Sequence, residues 1–91
     1  MKIIKINAMW CSGCLSMKKI WKQITEEYPN LNITTYDYDM DQKEVEKYNV
    51  GEILPVVIFQ KKDKEIRLIG EKTKQEIIEV IEELSWKKLN Y

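Results

Sequence analysis

Trp10-Cys11-Ser12-Gly13-Cys14 stands where the chain changes its hydrophobic period. Before it, residues 2–8 carry Ile3, Ile4 and Ile6, a β-branched run of strand length. After it, Met17, Ile20, Trp21, Ile24 and Tyr28 recur at spacings of three and four and so share one helix face, with Lys18, Lys22 and Glu26 largely elsewhere. The local reading is a strand, a loop Asn7-Ala8-Met9-Trp10 at its carboxyl end, and a helix that begins near Cys11 and is stopped by Pro29-Asn30. Both cysteines then lie in the first turn of that helix.

The rest of the chain extends this unit. Residues 32–38, with Leu31 before them and Ile33, Tyr36 and Tyr38 within, form a second strand, parallel to the first through a right-handed crossover. Asp41 is expected to cap a short helix through Tyr48, with Glu44 completing a capping box and Asn49 and Gly51 ending the helix. Pro55-Val56-Val57-Ile58-Phe59 reads as a buried strand with proline at its first position, where a missing N–H costs least. Lys61-Lys62-Asp63-Lys64 turns the chain into a fourth strand over residues 65–69, which Gly70 ends. Thr73 and Glu76 form a second capping box, opening a helix whose core face is Ile77, Ile81 and Leu84, with Ile78 and Val80 alongside. The order βαβαββα implies an α/β fold, a four-stranded mixed sheet flanked by helices in a single domain spanning residues 1–91.

Composition bounds the partners. A chain of 91 residues buries only roughly 60–65% of its unfolded surface, enough for one small core. Lysine plus arginine and aspartate plus glutamate each number 15, and neither sign forms a long run, so electrostatic capture of nucleic acid or an anionic membrane is unsupported. After Met1-Lys2 only Ile3-Ile4 precede Lys5, too short for a signal-peptide core, and no later stretch would span a bilayer. The expectation is a complete cytoplasmic protein, a monomer, whose two cysteines are catalytic or metal-binding rather than a structural staple. With no histidine and no third cysteine, one chain cannot complete a four-ligand zinc site. A dimer could still pair two Cys-x-x-Cys loops around zinc or an iron–sulfur cluster.

A strand running into Trp-Cys-x-x-Cys at a helix start, a proline-led strand, a hairpin and a final helix together resemble the thioredoxin family over nearly the whole chain. The resemblance implies a minimal thioredoxin-like fold and a cis Leu54–Pro55 bond opposite the cysteines, where backbone pairs with an extended substrate. It also implies that Trp10 is a partly exposed lid. Substrate would contact Trp10, Ser12, Gly13, Leu54, Pro55, Ile69 and Gly70, with Glu71 adding a charge to the rim. Trp21, Trp86 and the remaining tyrosines are expected to be packing or surface side chains.

Only a thiolate attacks a disulfide, and a free cysteine, with a pKa of about 8.5, is mostly protonated at neutral pH. The unpaired N–H groups and positive dipole end of the helix favour the anion at Cys11, taken as the more exposed sulfur and the nucleophile. Cys14, one turn on, resolves the mixed disulfide. The expected activity is reduction of protein disulfides, with no cofactor beyond the Cys11–Cys14 pair, recharged by a thioredoxin reductase or a glutathione-type thiol pool. A glutaredoxin-like enzyme is the alternative within the same chemistry. It is weakened by Ala8, where glutaredoxins commonly carry lysine, and by Ile69-Gly70-Glu71, which lacks their Gly-Gly-Asp-like pattern.

Two departures from the thioredoxin pattern stand out. Ser12-Gly13 replaces the usual Gly-Pro and removes a constraint on the first turn, which predicts a potential less reducing than that of a typical thioredoxin, within roughly −270 to −180 mV. Lys5 occupies the slot where thioredoxins hold a buried acid. It either snorkels to solvent or, paired with Asp37 on the adjacent strand, stabilises a nearby thiolate.

Overall fold

In the computed structural model, which describes residues 1–86, the sheet is built on β1 (Lys2–Asn7). Ile3, Ile4 and Ile6 on this strand are wholly buried, which requires cover on both faces of the sheet. β2 (Asn32–Asp37) runs parallel to it on one side, and β3 (Val56–Lys61) runs antiparallel on the other. β4 (Lys64–Ile69) pairs antiparallel with β3, giving the order β2-β1-β3-β4. This is the expected four-stranded mixed sheet. Pro55 lies just before β3 rather than inside it, although its carbonyl still accepts the Gly70 N–H at 2.8 Å.

Among the described residues there are four helices, where the sequence suggested three. The stretch after the cysteines divides into α1 (Ser12–Ser16) and α2 (Lys18–Glu27) at Met17, whose φ of −87° and ψ of −3° lie at the edge of the right-handed helical region. Chain direction is kept, because Met17 N–H donates to Gly13 O and Trp21 N–H to Met17 O. Beside this division the Ser16 hydroxyl, with one proton to give, lies 3.0 Å from the Gly13 carbonyl and 2.7 Å from a Glu71 carboxylate oxygen, the shorter and charge-assisted partner.

α3 (Gln42–Lys47) begins at Asp41 as expected, but without the capping box. The Asp41 carboxylate instead accepts the Asp37 N–H at 2.7 Å, and the Asp37 carboxylate accepts the N–H groups of Asp39 and Met40. Its far end closes on Asn49 at φ 53°: Asn49 N–H donates to Glu46 O and Val50 N–H to Val45 O, the paired bonds of a left-handed helix stop. α4 (Lys74–Trp86) has the box the sequence promised. Glu76 Oε1 accepts the Thr73 N–H at 2.9 Å and Thr73 Oγ1 accepts the Glu76 N–H at 3.1 Å. The Thr73 N–H and, at 3.1 Å, the Thr73 hydroxyl, both directed at Glu76 Oε1, hold the Glu76 carboxyl below its ordinary value.

Two apolar layers follow from this arrangement. Ile3, Val57 and Phe59 meet Met17, Trp21 and Ile24 on one face together with Ile77, Val80, Ile81 and Leu84 of α4. Ile4, Ile6, Val56 and Ile58 meet Val45 of α3 on the other. Each fully buried aliphatic or aromatic side chain contributes about 1.5–3 kcal/mol over its exposed state. The sheet is thus held from both sides, and the ends of β1 and β3 nearest the cysteines have a rigid base. Trp21 is a core side chain, as expected; the side chains of Trp86 and Tyr91 lie outside what the structure describes.

Candidate active site

Cys11 is the N-cap of α1, with an extended backbone at φ −94° and ψ 107°. That geometry turns its side chain back over the first helical turn, and its sulfur accepts the Cys14 N–H at 3.1 Å. Cys14 is bonded to it as a disulfide, with Cα atoms 5.2 Å apart. Both cysteines are buried, Cys11 at 7% exposed and Cys14 at 6%, so residue burial barely separates them. What distinguishes them is position on the helix, since only Cys11 occupies the cap.

Around the disulfide, Ala8, Tyr38 and Leu54 pack against the two cysteines. The Leu54–Pro55 bond is cis and Pro55 is buried. Gly13 lies directly against it, for a Cβ placed on Gly13 would meet the Pro55 ring Cδ at 3.3 Å and Glu71 at 3.6 Å. Ser12 is exposed beside them. Gly70, at φ 93°, adopts a conformation that favours glycine and donates its N–H to Pro55 O, so the loops before β3 and after β4 are joined. Ile69 is half exposed at the end of β4.

Trp10 is 59% exposed. It is not free, because its indole N–H donates to Asp39 Oδ2 at 2.8 Å and its ring meets Tyr38 edge-on at 5.8 Å between centroids. The aspartate turn 37–41 therefore sets the position of the tryptophan. Met9, Met40 and Ile53, all exposed, add apolar surface on the flanking loops. A cavity of about 500 Å³ lies between Tyr38, Asp39 and the residues of α3, and it is lined by neither cysteine nor by Pro55.

Lys5 and Asp37 do not pair. The Lys5 ammonium lies 4.8 Å from the centre of the Trp21 ring, half-buried under α2 instead of extended into water, and desolvation pulls its pKa below the usual lysine value. Asp37 spends its carboxylate on the turn that carries Asp39. Three site residues escaped the sequence reading. Tyr38 looked like strand bulk, Asp39 lies 29 positions from the indole it holds, and Ser16 gave no sign of its bond to Glu71 at 2.7 Å.

Comparison with known proteins is decisive at the level of family. The thioredoxin family model matches residues 1–83. The chain belongs to the thioredoxin family. Among thioredoxins, it is 26% identical over 87 residues to thioredoxin H5 of Oryza sativa subsp. japonica, covering 96% of this chain and 64% of the rice protein. It thus spans somewhat under two thirds of that relative. The thioredoxin of Chlamydia pneumoniae is 25% identical over 79 residues, covering 87% of this chain and 78% of its own. The solved structure of oxidised mitochondrial thioredoxin 3 from Saccharomyces cerevisiae superposes with a TM-score of 0.79 at 22% identity, covering 90% of this chain and 76% of that one. Chloroplastic thioredoxin z gives 0.80 at 22% identity, with 91% and 76% covered. At such identities these two superpositions establish the shared thioredoxin-like fold.

Proposed function

We propose that this thioredoxin-family chain is a thiol–disulfide oxidoreductase that reduces protein disulfides, with Cys11 as nucleophile and Cys14 as resolving thiol. The observation that carries the reading is the Cys14 N–H aimed at the Cys11 sulfur from the first turn of a helix. A donor fixed in that position stabilises charge at sulfur, and a thiolate there gains what a thiol would not.

The reaction is two exchanges. The Cys11 thiolate attacks one sulfur of the substrate disulfide, forming a mixed disulfide and expelling the first substrate thiolate. Cys14, deprotonated, then attacks the Cys11 sulfur, releasing the second substrate thiolate and closing the Cys11–Cys14 disulfide. The substrate gains two electrons and, in water, two protons, and the protein is oxidised by the same two electrons. No cofactor beyond this dithiol is required. An external thioredoxin reductase or a glutathione-type thiol pool resets it, which suits a reducing compartment such as the cytoplasm.

Trp10, Leu54, Pro55, Ile69 and Gly70 supply the surface on which an extended substrate segment is held against Cys11. The experiment is covalent trapping. Cys14→Ser incubated with a disulfide-containing protein should accumulate an adduct through Cys11, visible by mass and released by dithiothreitol, whereas Cys11→Ser should form none. An adduct through Cys14 instead would reverse the assignment.

A further inference from the structure

Glu71 stands where the proposed reaction needs no acid. Its backbone follows Gly70, whose N–H is tied to Pro55 O at 2.8 Å, and its carboxylate accepts the Ser16 hydroxyl at 2.7 Å. Loop and side chain are therefore both fixed. The same carboxylate approaches the cysteine turn closely: Oε1 lies 3.6 Å from the position a Cβ on Gly13 would take, on the side where Pro55 also meets Gly13. The ion pairs among the described residues are Arg67–Glu65 and Lys74–Glu27, so this charge faces the site without a cationic partner. It is exposed to whatever docks there.

We infer that Glu71 is a specificity-determining residue that selects disulfide substrates by charge, favouring those with lysine or arginine next to the reacting cysteine and disfavouring those with aspartate or glutamate. The inference rests on the oxidoreductase reading above. A substrate must bring its sulfur to Cys11 beside the surface where Gly13 meets Pro55. Neighbouring residues in that segment are about 3.8 Å apart from Cα to Cα, so the side chain beside the reacting cysteine falls within reach of Glu71. Because the carboxylate is already held by Ser16, little ordering remains to be done when a cation arrives. An exposed charge pair of this kind changes affinity by up to about fivefold, and replacing attraction by repulsion widens the contrast.

The test uses disulfide-linked peptides of one sequence with lysine, glutamine or glutamate flanking the reacting cysteine. The readout is the ratio of kcat/KM for the lysine peptide to that for the glutamate peptide, which cancels any general loss of activity. Wild-type protein should show a ratio of about three to ten at low salt, shrinking at high salt. Glu71→Gln should bring it close to one, and Ser16→Ala, which frees the carboxylate, should give an intermediate value. A wild-type ratio near one, or a ratio that survives unchanged in Glu71→Gln, overturns the inference while leaving the oxidoreductase reading intact. Absence of turnover with every peptide overturns that reading and the inference with it.

Discussion

Gly13 and Pro55 are in such close contact that a single added methyl group on Gly13 would sit 3.3 Å from the proline ring. The helix that carries the cysteines and the loop that carries the proline therefore meet through the absence of a side chain. Gly13→Ala sets two effects against each other. Alanine favours a helical turn by about 0.5–1 kcal/mol, and pushing Pro55 back costs a similar amount. The expected outcome is a stability within about 1 kcal/mol of wild type by denaturant titration. Disulfide reductase kcat/KM should fall about three- to tenfold, because the substrate surface has moved by a few tenths of an ångström. Unaltered kinetics would show that the contact does not set substrate position.

The Trp10–Asp39 bond yields a second prediction. It links an exposed ring to an exposed carboxylate, so its loss in Asp39→Ala should cost no more than about 1 kcal/mol of stability. The effect on a protein substrate should appear mainly as a KM raised about two- to fivefold, since Trp10 would contribute docking surface and no chemistry. A fall in kcat at constant KM would argue instead that Asp39 acts on the sulfurs.

Lys5 gives a pH prediction. Burial against Trp21 lowers its folded-state pKa below the unfolded value near 10.5. Between those two values the unfolded chain binds more protons than the folded one, so stability from this group rises with pH and is lost as pH falls through the folded pKa. Unfolding of wild type and Lys5→Met, compared as pH is raised to 10.5, should show the difference shifting in favour of wild type once pH passes the folded-state pKa. A flat difference would mean that Lys5 stays fully solvated. If Lys5 took part in catalysis, the same substitution would also move the thiol pKa values.

The substitution of Ser12-Gly13 for a proline-containing pair bears on the redox potential. Equilibration with glutathione buffers should give a value above the thioredoxin level of about −270 mV and below about −180 mV. A potential at or under the lower figure would show that the intervening pair does not set the poise.

Much of this architecture was legible because local patterns and tertiary packing agree. Ile3, Ile4 and Ile6 announced a strand, which the fold buries on both faces, and Thr73 with Glu76 announced a capped helix; both stand. Where the reading failed, a side chain had two available partners. Asp41 could bond its own helix or the Asp37 N–H, and the turn won, since that bond completes a network supporting Asp39. Ser16 reaches Glu71, 55 positions on, a partner no local pattern announces, and the helix divides beside it although its apolar period runs through unbroken. Lys5 could reach Asp37 or water by its position on β1, but the indole of Trp21 packed under the same face. The partnership of Trp10 with Asp39 joins residues with no shared period, so only the fold brings them together.

The most direct test of the central claim is reduction of insulin disulfides, followed by NADPH consumption through either thioredoxin reductase or glutathione with its reductase. Wild-type protein should turn over with at least one of these systems, and Cys11→Ser should fall to background. No turnover with either, or turnover that persists in Cys11→Ser, would contradict that claim.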